Sequence, residues 1–239
     1  METGSTGKGY IYSDQMALFG SPEIIGFSNG RISVKEIDRD LANATIVENH
    51  YSRKYYNATY IHLGVFYLGK MVGVLQYGYA MNPASGSSVV SGTEMNQYLE
   101  LNRMWIKDDI CKYPESQAIS ASIKYIKAKY PTVKWIQSFA DERCNCFGIV
   151  YQACSFDYYG EHNSIFWTLD GEVYHNSLMT RDPKLSKSAA YIQQNKDKAT
   201  QETLRQFRYI KFIDKSWASR CNLDKKPYPK YYTEAKDGN

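Results

Sequence analysis

Apolar residues recur along this chain with two periods, and the switches between them mark its elements. Val34, Ile37 and Leu41 stand at helical spacing behind Ser33, a residue suited to cap a start, which predicts an amphipathic helix over residues 33 to 48. The polar, aperiodic stretch Asn49-His50-Tyr51-Ser52-Arg53-Lys54 then reads as a loop. Residues 60 to 68 and 71 to 80 are β-rich runs separated only by Gly69-Lys70, which predicts a hairpin with a type II′ turn. After the Gly/Ser-rich loop 82 to 92 comes a strand over 98 to 106. Simple alternation puts Leu99, Leu101, Arg103 and Trp105 on one face of it and Glu100, Asn102 and Met104 on the other. Ile119, Ile123 and Ile126 mark a helix over 116 to 129 closed by Pro131, and a strand over 134 to 140 runs into Asp141. A short helix over 147 to 154 and strands over 156 to 159 and 165 to 169 follow, the last turning at Asp170-Gly171. No internal repeat interrupts this order. Its strand-helix alternation predicts one α/β domain over about residues 21 to 180 with a partly parallel sheet, preceded by a flexible arm over 1 to 20.

Composition narrows the class without changing the fold. With 43% hydrophobic and 23% charged residues in 239, the chain falls outside the disordered range and is long enough to bury a core. The longest apolar runs, such as Met71 to Leu75, fall far short of the roughly 20 residues of a membrane span. The start, Met1 to Lys8, has no apolar signal core, so an intracellular, reducing setting is expected. Five cysteines are an odd set that suits free thiols. Cys144, Cys146 and Cys154 cluster, but a single C-x-C lacks the second half of a zinc site, and no metal ligands are assigned.

Charge is where the sequence first points to a partner. Residues 181 to 239 carry 14 Lys/Arg against 7 Asp/Glu, while residues 1 to 180 carry 15 against 18. In a chain with 22 Tyr, 4 Trp and 9 Phe this asymmetry suits a nucleic-acid surface, although a solvated tail accounts for it equally. On a helix, Arg205, Arg208, Lys211 and Lys215 would form a basic stripe; if 207 to 213 is a strand, the stripe dissolves. Arg53 with Tyr55 and Tyr56 beside the loop, and the pair Tyr158 and Tyr159, are candidates for contact with nucleic acid and for stacking on a base. His50, in a polar loop, has the side chain for a general base or a metal ligand at neutral pH. Arg103 amid apolar neighbours needs an anion, either Asp141 as a buried partner or a bound ligand. Asp141 stands at the C-terminal end of a predicted parallel strand, where open α/β sheets bind ligands, or else caps the next helix. Ser116 and Ser120, at the start of the central helix, offer a cap and a donor.

The words Glu100-Leu-Asn-Arg-Met-Trp105, Ser116-Gln-Ala-Ile-Ser120, Ala140-Asp141, Gly148-Ile-Val-Tyr-Gln-Ala153 and Phe156-Asp-Tyr-Tyr-Gly160 occur in that order. With Asn49-His-Tyr-Ser52 before them and Phe207-Arg-Tyr-Ile-Lys-Phe212 and Pro227-Tyr-Pro-Lys230 after, the sequence resembles the phage Mom family of DNA adenine-modification proteins over most of residues 45 to 230. The resemblance implies a GCN5-related N-acetyltransferase (GNAT)-like single α/β domain: a mixed central sheet, an antiparallel N-terminal hairpin and flanking helices, with residues 181 to 239 as a basic extension packed on or beside it. It also implies a phage enzyme, acting on double-stranded DNA in the bacterial cytoplasm without a membrane, that converts adenine to an N6-carbamoylmethyl form and so protects DNA from restriction. A homodimer is among the assemblies it allows. Catalytic roles then fall to His50, Asp141 and Tyr151 as proton carriers and to Arg103 as an anion clamp, with Ser116, Gln117 and Ser120 at the cofactor. The usual Gly-rich phosphate loop is replaced by Lys107 to Glu115, which has no glycine and carries Asp108, Asp109 and Glu115. The donor is therefore open between acetyl-CoA and another acyl or aminoacyl donor, a charged tRNA included. The rival readings are an ordinary N-acetyltransferase acting on a small molecule or protein, and a non-catalytic DNA-binding phage protein.

Overall fold

The chain joins its sheet earlier than the pattern predicts. In the computed structural model, which describes residues 7–13, 22–145 and 147–230, Gly9–Tyr12 is already a strand, β1, pairing antiparallel with Ile24–Asn29, β2. So part of the expected arm is ordered; the rest of it, like Cys146, lies outside the described residues. Ile32–Glu36 forms β3 rather than the start of a helix. Ile32 and Val34 alternate into the core, and their branched side chains suit the pleat, so the spacing from Val34 to Leu41 was a coincidence of two elements. The helix α1, Arg39–Asn49, begins after Asp38, whose carboxylate accepts the Asp40 N–H at 2.7 Å. It buries Ala42 and Ile46 while Leu41 faces solvent.

Thr59–Tyr67 (β4) and Lys70–Gly78 (β5) make the expected hairpin, with its turn one residue earlier than predicted. Leu68 and Gly69 both have positive φ, 49° and 81°, which is the type I′ rather than the type II′ geometry. A short helix, Gly86–Val89 (α2), leads into Tyr98–Ile106 (β6), whose predicted bounds hold. The central helix is Pro114–Lys129 (α3), followed by Trp135–Asp141 (β7) and the short helix Ile149–Ala153 (α4). The two strands predicted after it are one, Asp157–Leu169 (β8), whose bulge near Gly160, at φ 94°, broke the apparent pattern. Asp170-Gly171 turns β8 into Glu172–His175 (β9). Lys187–Gln194 (α5) and Thr200–Phe212 (β10) complete the elements.

These strands form a single sheet in the order β1-β2-β3-β4-β5-β6-β7-β10-β8-β9. Only β6 and β7 run parallel. The expected class is found: a single α/β domain with a mixed central sheet, an antiparallel N-terminal hairpin and flanking helices. The segment set apart as an extension does not lie beside the domain, because β10 is an interior strand bonded to β7 and β8.

On one face, α3 packs Ala118, Ile119, Tyr125 and Ile126 against residues such as Leu63, Leu75, Leu99 and Ile136. On the other, α1 covers Val74 with Ala42 and Ile46, and Trp135 stacks on Tyr98 at 4.5 Å beside Ile210 and Trp217.

Candidate active site

A bulge and a short ladder create the site. Along β6 the register passes from Leu101 opposite Tyr77 to Arg103 opposite Gln76, so Asn102 is an extra residue. Leu99 and Leu101 pack on the α3 face, and beyond the bulge Met104 does so, while Trp105 packs on the α1 face. The predicted sharing of one face by Leu99, Leu101, Arg103 and Trp105 is thereby corrected; simple alternation cannot foresee an inserted residue. Meanwhile β6 pairs with β7 only from Tyr98 to Glu100. Past that rung the strands part, leaving a cleft of about 380 Å³ lined by residues 101 to 104 of β6 and 139 to 141 of β7.

His50, Arg103, Asp141 and Tyr151, four residues named from sequence and carried by four separate segments, all line this cleft. His50, 7% exposed, ends α1. Its Nδ1 lies 2.8 Å from Ser52 Oγ and accepts the Ser52 backbone N–H at 3.1 Å. Burial, then the guanidinium groups of Arg103 and Arg143, lower its pKa to about 4, so at neutral pH the imidazole is uncharged. Arg103 Nε donates to Lys54 O at 2.9 Å and Nη1 to Asn102 O at 2.7 Å, and the guanidinium lies 5.8 Å from the Tyr56 ring centre. Its expected ion pair with Asp141 is not formed. Among the described residues no carboxylate pairs with Arg103, because Asp141 is held by Arg143 instead, through Nε at 3.0 and 3.2 Å and through Nη2. Asp141 also accepts the Arg143 backbone N–H at 3.0 Å, capping the 3-10 turn Glu142–Cys144. Tyr151, 8% exposed on α4, stands 5.4 Å from Tyr209 and 5.7 Å from Phe156 by ring centres.

The cofactor positions do not join the cleft. The central helix starts at Pro114, not Ser116, so Ser116 is no cap; its Oγ donates back to Tyr113 O at 3.1 Å. Gln117 Nε2 donates to Lys112 O at 2.7 Å, and Ser120 Oγ lies 3.8 Å from Cys154 Sγ. From this turn only Glu115 reaches the cleft. Pro114 supplies no N–H to the first turn, and Glu115 adds a carboxylate there, so this helix start is less suited to an anion than a glycine-rich one.

The basic stripe dissolves because Arg205, Arg208 and Lys211 lie on a strand, where side chains alternate. Arg205 pairs with Glu142 at 2.7 Å and Glu161 at 3.6 Å. Arg208 Nη1 donates to Gln137 at 2.9 Å over the Phe139 ring, and Lys211 Nζ donates to the carbonyls of Cys154 and Ser155. Lys215 is exposed on the turn Lys215–Arg220. Tyr158 is in the core and Tyr159 packs against the Trp135 cluster, so neither is free to stack on a base. Tyr55, 49% exposed, and Arg53, whose Nη1 donates to Glu48 O at 2.6 Å, remain at the surface. Among the described residues no group of three His, Cys, Asp or Glu is arranged for a metal.

Sequence reasoning missed Arg143 and Phe139, which no spacing marks. It also missed Glu100, for which a signal existed: a carboxylate mid-strand among apolar residues raises the same question as Arg103. Glu100 accepts from Gln137 Nε2 at 2.8 Å and Asn102 Nδ2 at 3.1 Å, and burial lifts its pKa to about 7.

The Mom protein family model matches residues 31–230. The chain is 45% identical over 211 residues to "Methylcarbamoylase mom" of Escherichia phage Mu, covering 87% of this chain and 88% of that protein. Among solved structures it is similar to the ribosomal-protein-S5-alanine acetyltransferase of Vibrio fischeri, at 12% identity and a TM-score of 0.46 over 81% of this chain and 98% of that one. It is also similar to the ribosomal L7/L12 α-N-protein acetyltransferase RimL in complex with coenzyme A, at 13% identity and a TM-score of 0.45 over 80% and 99%.

Proposed function

The chain belongs to the Mom protein family, and on that premise we propose that it is a phage DNA-modifying transferase that converts adenine in DNA to an N6-carbamoylmethyl form, so that host restriction enzymes miss their sites. The observation that carries the reading is the convergence of His50, Arg103, Asp141 and Tyr151 on one cleft. The 45% identity with a phage protein named a methylcarbamoylase supports the reaction class.

The N6 amine of adenine is engaged in pairing within a duplex, so the base has to leave the stack to react. The cleft suits a flat, partly apolar guest, with Leu101, Met104, Phe139 and Ile149 among its walls and His50, Asn102, Arg103 and Asp141 among its polar groups. Arg103, lacking a carboxylate partner among the described residues, is the group to hold an anion of the donor or of the DNA backbone. Tyr151 carries the hydroxyl that protonates the leaving group. The neutral imidazole of His50 offers Nε2–H as a hydrogen-bond donor to the reacting groups. Arg53 and Tyr55, at the surface of the loop that bears His50, meet the DNA. The donor is an acyl- or aminoacyl-type group, and the enzyme works in the cytoplasm of the infected host.

The test is mass spectrometry of nucleosides from plasmid DNA after expression of the wild-type chain or of His50→Ala/Tyr151→Ala. A heavier deoxyadenosine present only with the wild type is the expected result, and its mass names the group added. Unchanged deoxyadenosine from a folded wild-type protein overturns the reading in favour of an ordinary acetyltransferase or a passive DNA binder, which a salt-dependent DNA titration then separates.

A further inference from the structure

We infer that Arg143 is a positioning residue of the cleft, fixing the Asp141 carboxylate and the Tyr51 ring in place, and that Asp141 serves as its anchor rather than as a proton carrier. This rests on the transferase reading above.

The contacts of Asp141 carry the argument. Among the described residues its carboxylate accepts only from Arg143: the backbone N–H to Oδ1 at 3.0 Å, Nε to Oδ1 and Oδ2 at 3.2 and 3.0 Å, and Nη2 to Oδ2. Both oxygens are thus engaged by a planar guanidinium fork, and a proton could reach either only by displacing a charge-assisted bond. The same guanidinium lies 4.1 Å from the ring centre of Phe166 on β8 and 5.8 Å from that of Tyr51 in the loop after α1. Tyr51 in turn packs against His50, the ring centres 4.2 Å apart and the planes tilted by 33°. One side chain therefore ties together the end of β7, the strand β8 and the loop that carries His50, three segments apart in sequence. An ammonium in its place could neither fork onto the carboxylate nor lie flat between the rings.

The role assigned to Asp141 separates from the alternative by substitution. Asp141→Asn keeps an oxygen for the Arg143 backbone N–H and one guanidinium bond, so kcat for DNA modification is expected to fall about tenfold at most; loss of a proton carrier would cost about 100-fold or more. Arg143→Ala is expected to lower kcat about 30-fold or more with KM for DNA within about threefold, because the residue stands behind Asp141 and does not itself line the cleft. Added guanidinium chloride at non-denaturing concentration should restore part of that kcat, and Arg143→Lys should not. A structural role alone would lower the melting temperature without rescue. Ring signals of Tyr51 in a ¹H–¹³C spectrum should shift in Arg143→Ala and stay in place in Arg205→Ala. An Asp141→Asn enzyme as inactive as Asp141→Ala, an Arg143→Ala enzyme of full activity, or unmoved Tyr51 signals would each overturn the inference. If the wild type modifies no DNA, the transferase reading fails on its own, and the Tyr51 signals still decide whether Arg143 positions the loop. Should Arg143→Ala not fold, Asp141→Asn and Arg143→Lys carry the comparison.

Discussion

The backbone N–H of Ser52 donates to Nδ1 of His50 at 3.1 Å, and that single bond assigns the imidazole proton to Nε2. An imidazole so arranged presents a donor, not a base, through its other nitrogen. Burial and the neighbouring Arg103 and Arg143 hold the group neutral down to about pH 4. Because its folded pKa lies below the ordinary 6.5, the stability it contributes is present above pH 6.5 and is lost as pH falls towards 4. Activity should therefore show no limb near pH 6.5 from His50, and ¹⁵N imidazole shifts should report the Nε2–H form down to about pH 5. His50→Gln, which can place an amide N–H near the Nε2 position, should keep kcat/KM within about tenfold, and His50→Ala should lose about 100-fold. Titration of His50 near 6.5 in the folded protein would refute the assignment.

Glu100 and Gln137 form the last rung before β6 and β7 part, and their side chains are bonded at 2.8 Å. Burial raises the Glu100 pKa from 4.5 to about 7, so its stabilising contribution is full below pH 4.5 and is lost as pH climbs through 7. Comparing urea unfolding of wild type and Glu100→Gln at pH 5 and pH 8 removes the constant cost of the altered hydrogen bonds. The difference should move in favour of glutamine at pH 8, by at most about 3 kcal/mol. An unchanged difference would mean that Glu100 is already ionised at pH 5.

How much of this was legible in the sequence depends on range. The hairpin β4–β5, the helix α3 and the strand β6 are local patterns, and their residues announced them. The joining of β10 to β7, whose register pairs Gln206 with Asp141 and Phe212 with Trp135, is a long-range pairing, and no periodicity within a segment carries it. Of the cleft residues, His50, Arg103 and Asp141 drew notice because polar groups in special places need a reason, whereas Tyr151 was named only through the family resemblance. Their partners were not foreseen, since Arg143 in place of Arg103 at Asp141 follows from a bulge that turns Arg103 away. Ser116 was misjudged as a cap because a proline two residues upstream starts the helix earlier.

Arg205 and Lys215 were equivalent cations in sequence, and the structure separates them. Arg205 is committed to Glu142 and Glu161, whereas Lys215 is exposed on its turn. If Lys215 meets a phosphate, Lys215→Ala should reduce the slope of log K against log salt for duplex DNA by about 0.9, and Arg205→Ala should leave it unchanged. Fluorescence anisotropy at several salt concentrations reads both. Equal slopes for wild type and Lys215→Ala would remove Lys215 from the DNA surface.

Gly148 offers the sharpest link between backbone and site. It precedes α4 with φ at 78°, a conformation that costs a side-chain-bearing residue roughly 1–2 kcal/mol. A Cβ there would stand 2.3 Å from Cε2 of Tyr209. That ring cannot easily yield, because its hydroxyl donates to Phe147 O and accepts from Gln152 Nε2 at 3.0 Å. Relief has to come from the other side, by a shift of α4, and α4 carries Tyr151 into the cleft. Gly148→Ala should therefore cost about 2–4 kcal/mol of stability and depress kcat more than the KM for DNA. The companion Gly171→Ala makes the comparison specific: its φ of 77° imposes a like strain, but no atom lies within 4 Å of its Cβ position and it does not line the cleft. It should lose stability without losing kcat in the folded fraction. If both variants keep wild-type kcat, the seating of α4 on Tyr209 does not control the position of Tyr151.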